Sequence, residues 1–319
     1  MNENLLYKQN MRAVVDIGSN SVKFLAAKVH RNAIEALGSE SMVTRLGRGL
    51  EKSGLLSQKS ITDTVAALEK IKLSLVKLGV LDTTVVATSA VRDCKNAETI
   101  SEPVQRIFSV VLRILSGQEE AFFSLKGAVA AANQLLGTED CVFIDVGGAS
   151  TEVSVQKPEF LAHSFQAGAV RCHERLNLPE TKISDVEWKV AQEKIQEFFP
   201  LQEWKHLTSN FTKTRPVVAV GGTLVLAAKI AGAVIEKGCG IRITRSRLEE
   251  LNENLRNLTV TERMALPGME VGRADIICAG ILVLTTLLNR LGAEDVLLTT
   301  WGLRHGILLS GSPSNSDQI

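Results

Sequence analysis

The 319-residue sequence predicts an α/β protein of two lobes. Three observations carry that prediction. At about 150 residues per domain the length corresponds to two domains. Short apolar strands alternate with helical periodicities, and the pattern restarts near residue 140. An Asp-x-Gly-x-x-Ser segment opens each half, with no flexible linker between the halves.

In chain order, residues 12–17 form an apolar run that stops at Gly18. Residues 21–29 and 33–43 alternate around Arg31-Asn32, which predicts a hairpin. Ile61, Val65, Leu68, Ile71, Leu75 and Leu78 recur every three or four residues, so an amphipathic helix runs to Gly79. A strand over 84–88, a helix over 97–109, a strand over 110–115 and a helix over 118–134 follow. The second half predicts strands at 140–146, 151–156 and 159–166, then helices. A strand over 216–220 leads into Gly221-Gly222, followed by an apolar helix. Helices at 247–256 and 271–291, a strand at 295–300 and a helix at 302–309 complete the pattern. The tail 310–319, rich in Ser, Gly and Pro, predicts disorder.

Composition excludes several classes. The charge sum is 36 Lys and Arg against 35 Asp and Glu, a net +1, which argues against a basic nucleic-acid binder or an acidic disordered chain. Aromatics at 4% leave little for base stacking. The uncharged run 276–289 is shorter than the ~20 residues a bilayer span needs, so no membrane association is expected. The first eleven residues lack the apolar run of a leader peptide. Cys94, Cys141, Cys172, Cys239 and Cys278 are widely spaced with no Cys-x-x-Cys pair, as expected of reduced thiols in a cytoplasmic protein. His30, His163, His173, His206 and His305 show no metal-ligand spacing and are expected to be surface or structural. Arg242, Arg245 and Arg247 are read first as a solvated helix cap or strand face, with a polyanion contact as the alternative.

The duplication carries the chemistry. Val14-Val15-Asp16-Ile17-Gly18-Ser19-Asn20-Ser21 matches Phe143-Ile144-Asp145-Val146-Gly147-Gly148-Ala149-Ser150 at a constant offset of 129. Gly and Ser let backbone N–H groups approach and point at an anion, which suits phosphate oxygens. An Asp at the strand end repels phosphate, and makes sense if it holds a divalent cation or orients water. Gly221, Gly222 and Thr223 form a third glycine turn, read either as a nucleotide or phosphate site at a helix N-terminus or as a plain strand–helix turn. No Gly-x-x-x-x-Gly-Lys-Ser/Thr is present, which excludes a P-loop enzyme.

Two lobes that each open with a phosphate turn resemble the actin, sugar kinase and heat-shock chaperone superfamily. The resemblance implies two ribonuclease-H-like (actin-like ATPase) domains facing an interdomain cleft, here over 11–131 and 132–309. Further segments narrow it: Ala87-Thr88-Ser89-Ala90-Val91-Arg92-Asp93, Leu115-Ser116-Gly117-Gln118-Glu119-Glu120-Ala121, I-D-V-G-G-A-S-T-E over 144–152, Gly168-Ala169-Val170-Arg171, Pro267-Gly268, Arg273-Ala274-Asp275 and Gly302-Leu303-Arg304. Together these are similar to the exopolyphosphatase / guanosine pentaphosphate phosphohydrolase family, in its short two-domain form.

That resemblance implies a hydrolase of phosphoric anhydrides. Adjacent helical residues point ~100° apart, so Glu119 and Glu120 do not both reach one atom. The family motif assigns the general base to the second, Glu120; the small Ser124 and Gly127 on its face leave room for a cleft. Arg92 would grip a phosphoryl group, or else pair with Asp93 at the surface. Asp145 and Glu152 would hold magnesium or another divalent cation, with potassium as a further cofactor to test. Gly18, Ser19, Asn20, Ser21, Gly147, Gly148, Ala149, Ser150 and Thr151 would bind substrate phosphates. The implied substrate is inorganic polyphosphate, or pppGpp as the alternative, and a homodimer is an open expectation. A weakly active alarmone or nucleotide sensor and a kinase-like phosphotransferase are the competing classes. Ala149 stands where the family usually has glycine, and fits only with negative φ. Thr300 and His305 replace acidic residues common in the family near its last Gly-Leu-Arg.

Overall fold

The computed structural model describes residues 11–30, 33–155, 161–208, 215–234 and 239–311. The chain divides into two compact units, residues 1–127 with 303–319, and residues 128–302.

The first unit contains β1 (Met11–Ile17), β2 (Ser21–His30), β3 (Ala33–Val43), α1 (Leu50–Ser53), α2 (Gln58–Lys77), β4 (Asp82–Ala87), α3 (Ser89–Asp93), α4 (Glu98–Phe108), β5 (Arg113–Ile114) and the start of α5 (Gly117–Leu136). Its sheet runs β3-β2-β1-β4-β5. β1, β2 and β3 pair antiparallel, while β4 joins β1, and β5 joins β4, in parallel. α2 starts where the Ser57 hydroxyl accepts from the Ser60 N–H, and buries Ile61, Leu68, Ile71 and Leu75 on one stripe.

The second unit contains β6 (Val142–Val146), β7 (Thr151–Val155), β8 (Leu161–Phe165), α6 (Ala169–Arg175), α7 (Asp185–Lys194), α8 (Leu201–Thr208), β9 (Val217–Val220), α9 (Gly222–Ile230), β10 (Gly240–Thr244), α10 (Arg245–Arg256), α11 (Val260–Met264), α12 (Ile277–Leu291) and β11 (Asp295–Thr299). Its sheet runs β10-β11-β9-β6-β7-β8. Read from β8, five of these strands repeat the first unit's order, with the same antiparallel hairpins and the same parallel neighbours. β10 adds an antiparallel edge. Two sheets of this order make the ribonuclease-H-like fold of actin-like proteins. The duplication visible in sequence is thus a duplication of topology.

Four features differ from the sequence expectation. α13 (Leu303–Ser310), expected with the second half, packs in the first unit, where Leu303, Ile307 and Leu308 join Val14, Leu25 and Phe123 in one buried cluster. The expected 271–291 helix begins only at Ile277; Val271–Arg273 form a 3-10 turn that directs Arg273 at Gly222 and Thr223. β5 keeps two of six expected residues, because β4 offers it only Val86 and Ala87 as partners. β10 was not expected; at Gly240 a Cβ would lie 2.6 Å from Leu135, so only glycine lets this strand reach its place. The expected 31–32 turn and most of the leader-free N-terminus lie outside the described residues, as does the tail expected over 310–319 from 312 on, while Ser310 ends a helix. Among the described residues no helix is long and apolar enough to cross a membrane, and the five cysteines are free thiols.

Candidate active site

The two phosphate turns share one hydrogen-bond plan. In the first, Gly18 N–H donates to Ser21 O at 3.1 Å; in the second, Gly147 N–H donates to Ser150 O at 2.9 Å. None of the three turn glycines, Gly18, Gly147 and Gly148, has positive φ, and Ala149 does not either, so the alanine fits without strain. Gly18 and Gly147 serve close approach instead: a Cβ would sit 3.2 and 3.1 Å from the Ser21 and Ser150 carbonyl oxygens.

In both turns a following segment takes up carbonyl oxygens. Thr44 and Arg45 N–H donate to Asn20 O, and Gly47 N–H donates to Ser19 O at 2.7 Å. In the second turn, Ala169 donates to Gly147 O, Val170 and Arg171 to Gly148 O, and Gly168 to Ala149 O. The crossing at Gly168 is close enough that a Cβ would lie 2.4 Å from Ala149 N. With carbonyls committed this way, the turns retain N–H groups and hydroxyls as what they offer an anion. Ser150 Oγ is buried with no hydrogen-bond partner, and so is Asp16 Oδ1. Buried polar atoms are normally satisfied, so orphans at matching turns mark places that a ligand or water completes.

The hairpin register sets the charge of each turn. Asp16 faces Lys23 across β1 and β2, whereas Asp145 faces Glu152 across β6 and β7. Burial raises the pKa of Asp16, and the charges of Lys23 and Arg304 pull it back. Directly opposed residues of an antiparallel pair have Cβ atoms about 5 Å apart, and like charges there repel. Two opposed carboxylates, with Glu152 only 2% exposed, therefore fit a hard cation. Ser164 Oγ donates to Glu152 Oε1 at 2.6 Å and orients it. The all-oxygen donor set suits magnesium, which takes one or two carboxylates and completes its shell with phosphate and water. No group of three or more His, Cys, Asp or Glu is suited to a metal among the described residues.

The adjacent glutamates are divided between two jobs. Glu119 closes a capping box at the start of α5: Ser116 N–H donates to Glu119 Oε2 at 2.9 Å, and Glu119 N–H donates to Ser116 Oγ at 3.2 Å. Arg113 Nη2 lies 2.5 Å from Glu119 Oε1. Burial raises its pKa, but the hydrogen bonds from Arg113 and Ser116 prevail and hold Glu119 below the usual carboxylate value. Glu120 is buried and takes a hydrogen bond from Arg92 Nη1 at 3.0 Å. The same nitrogen donates to Leu115 O at 2.7 Å, and Arg92 Nε lies 3.6 Å from Asp93. α3 supplies Arg92, and its first residue, Ser89, places Oγ 3.2 Å from Ser19 Oγ of the first turn. The first unit thus gathers Glu120, Arg92 and a phosphate turn. The second gathers Asp145, Glu152 and the other turn.

One expectation changes, and two readings left open narrow. The small side chain at Gly127 does not open a cleft: α13 crosses there, and a Cβ on Gly306 would lie 3.1 Å from Gly127 N. At Gly221-Gly222-Thr223, Gly221 has φ 148° and abuts Val146 O, so glycine is required for packing beside β6. The Arg273 guanidinium lies against Gly222 and donates to Thr223 Oγ1 at 3.2 Å, so a protein side chain occupies this turn. The Arg242, Arg245 and Arg247 cluster is a paired surface, bound to Asp295, to Glu249 and Glu294, and to Glu250. Of the histidines, His163 pairs with Glu203 at 3.0 Å, and burial with Arg304 nearby lowers His305 to about 3, which keeps it neutral. Sequence reasoning missed Lys23, Ser164 and Arg304. The first had a signal: it stands seven residues after Asp16, as Glu152 does after Asp145.

Comparisons with known proteins identify the family. Among curated proteins, the chain is 28% identical to exopolyphosphatase 2 of Mycobacterium tuberculosis, covering 93% of this chain and 97% of that protein. It is 26% identical to the guanosine-5'-triphosphate,3'-diphosphate pyrophosphatase of Pseudoalteromonas translucida, over 97% of this chain and 61% of that protein. It is 25% identical to a bifunctional 3-dehydroquinate synthase/phosphatase of Fusobacterium nucleatum, where it spans about half the relative's length, 47%. The fold is that of an exopolyphosphatase from Cytophaga hutchinsonii (TM-score 0.84, 21% identity, 95% of this chain and 99% of that one). It is also that of the Aquifex aeolicus Ppx/GppA family member (TM-score 0.72, 25% identity, 94% and 96%). A Ppx/GppA phosphatase family model matches residues 25–315, nearly the whole of the chain, and the chain belongs to the Ppx/GppA phosphatase family.

Proposed function

We propose that the protein hydrolyses the terminal phosphoanhydride bond of a phosphate chain, with inorganic polyphosphate as substrate. One observation carries the reading: of two adjacent glutamates, Glu119 is consumed by a capping box while Glu120 is held by Arg92, whose helix α3 also meets the first glycine turn through Ser89 and Ser19. A buried carboxylate fixed by an arginine is suited to act as a general base. Glu120 takes a proton from water as the water oxygen bonds to the terminal phosphorus. The bridging P–O bond breaks, its electron pair stays on the shortened chain, and orthophosphate leaves. Phosphate is a good leaving group at neutral pH, so no separate acid is required. Arg92 would stabilise charge on the phosphoryl oxygens. The N–H groups and hydroxyls of residues 18–21 and 147–151 bind and orient the chain. Asp145 and Glu152 would hold magnesium, which neutralises phosphate charge when bound.

A second substrate is the 5′-phosphate end of pppGpp, favoured by the similarity to the Pseudoalteromonas pyrophosphatase. The test measures phosphate release from short polyphosphate, long polyphosphate, pppGpp and ATP, with and without magnesium. Magnesium-dependent release from polyphosphate is the expected result. Release from pppGpp alone moves the substrate to the second reading. Tight pppGpp binding without release would identify a sensor instead.

A further inference from the structure

The helix α13 makes two contacts that bear on the first unit's chemistry. Arg304 Nη1 donates to the Phe24 carbonyl at 2.7 Å. Phe24 follows Lys23, the residue that faces Asp16 across the phosphate hairpin. Two positions along α13, Gly306 meets α5 so closely that a Cβ would lie 1.8 Å from the Phe123 carbonyl oxygen. Phe123 is three residues, less than one helical turn, past Glu120. Leu303, Ile307 and Leu308 complete the contact in a buried cluster with Val14, Leu25, Leu115 and Phe123. Leu115 is also the residue whose carbonyl anchors Arg92.

We infer that α13 is a strut that sets the spacing between the first phosphate turn and Glu120, with Arg304 and Gly306 as its positioning residues. Neither residue is placed on the reacting atoms; each acts through what it braces. Arg304 reaches the hairpin from behind, through a backbone carbonyl that does not move unless β2 moves. Gly306 lets the helix axes approach to a distance no other residue permits. Burial disfavours the charge of Arg304, and nearby Asp16 supports it, so the guanidinium also steadies the buried carboxylate at the end of β1. A misplacement near 1 Å costs on the order of 10²-fold in rate, so a strut of this kind is visible in turnover.

The activity arm of the test rests on the phosphohydrolase reading; the exchange arm does not. Full-length Arg304→Met, Arg304→Lys and Gly306→Ala are compared with wild type, and with Leu251→Ala as a core-destabilised control in the second unit. Two quantities are measured: deuterium uptake in peptides covering 14–24 and 116–124, and kcat and KM for phosphate release. Arg304→Met and Gly306→Ala are expected to raise uptake in both peptides. Both should lower kcat by about 10- to 100-fold with KM within about 3-fold. Arg304→Lys should recover part of the loss, and Leu251→Ala should leave uptake in both peptides unchanged. Unchanged uptake in Arg304→Met, or a rise in KM alone, overturns the strut. Should Gly306→Ala fail to fold, the Arg304 pair decides. Wild type without phosphate release would remove the hydrolase reading while the uptake comparison still decides the strut.

Discussion

Arg92 Nη1 bridges two acceptors on one segment, Glu120 Oε2 at 3.0 Å and the Leu115 carbonyl at 2.7 Å. The second bond locks the guanidinium to the backbone just before α5, so the first holds Glu120 in a fixed place and not merely in contact. Both bonds leave Nη1, while Nε of the same rigid fork lies 3.6 Å from Asp93, a fixed geometry that a single flexible ammonium does not reproduce. Arg92→Lys is therefore expected to lose most activity, about 10²-fold in kcat. Its melting temperature should stay near that of wild type. Phosphate-release kinetics with a thermal melt check this; full activity in Arg92→Lys would count against the fork.

Glu120→Gln keeps the shape and the hydrogen bond from Arg92 but cannot take a proton. Loss of a general base costs typically 10²- to 10⁴-fold, so phosphate release should fall by about that factor while polyphosphate binding survives. Glu119→Ala should do the reverse. Removing the capping-box acceptor costs about 1 kcal/mol of stability, seen as a lower melting temperature. Its rate loss should be smaller than that of Glu120→Gln. Equal rate losses in the two variants would dissolve the division of labour between them.

On the proposed reading, the carboxylates opposed at Asp145 and Glu152 would bind a cation better together than either alone. Glu152→Gln is expected to raise the magnesium concentration for half-maximal activity by about 10-fold or more. Ser164→Ala, which frees Glu152 Oε1, should shift it in the same direction by less. Magnesium titration of activity, paired with calorimetry of magnesium binding, reads both. An unshifted midpoint in Glu152→Gln would remove that residue from the metal site.

The parts of this site legible in the sequence are those made by contacts close along the chain. Each hairpin brings together residues seven positions apart, Asp16 with Lys23 and Asp145 with Glu152, so strand, turn and register follow from local pattern. Glu119 and Glu120 were told apart by the family motif, and the capping-box spacing of Ser116 and Glu119 is a local signal that reading did not use. The remainder depends on contacts between distant positions. Arg304 reaches Phe24 across 280 residues, and Arg273 reaches Thr223 across 50. No periodicity encodes such meetings, and a Gly-Gly-Thr turn reads the same whether a nucleotide or an arginine fills it. The placement of α13 was misread for this reason: its sequence is that of an ordinary amphipathic helix, and the buried cluster it joins in the first unit is not a property of its own residues.

His305 gives the fold a defined pH response. Burial and the neighbouring Arg304 lower its pKa from 6.5 to about 3, so the folded protein keeps the ring neutral where the unfolded chain would protonate it. Between these values the unfolded state binds more protons, and stability rises with pH. The contribution is complete above about pH 6.5 and is lost progressively as pH falls toward 3. Asp16, whose pKa is raised chiefly by burial, acts in the opposite sense above its ordinary value of 3.8, because the folded state there binds the extra proton. Lowered carboxylates such as Glu119 contribute acid sensitivity only near and below their ordinary value of 4.5. Comparison with His305→Gln isolates the histidine's part of the slope between pH 6.5 and 5. Wild-type melting temperature should fall across that interval, and His305→Gln should flatten the slope there while leaving the steeper loss below pH 4.5. Parallel curves for the two proteins between pH 5 and 6.5 would show that His305 is not the group that titrates.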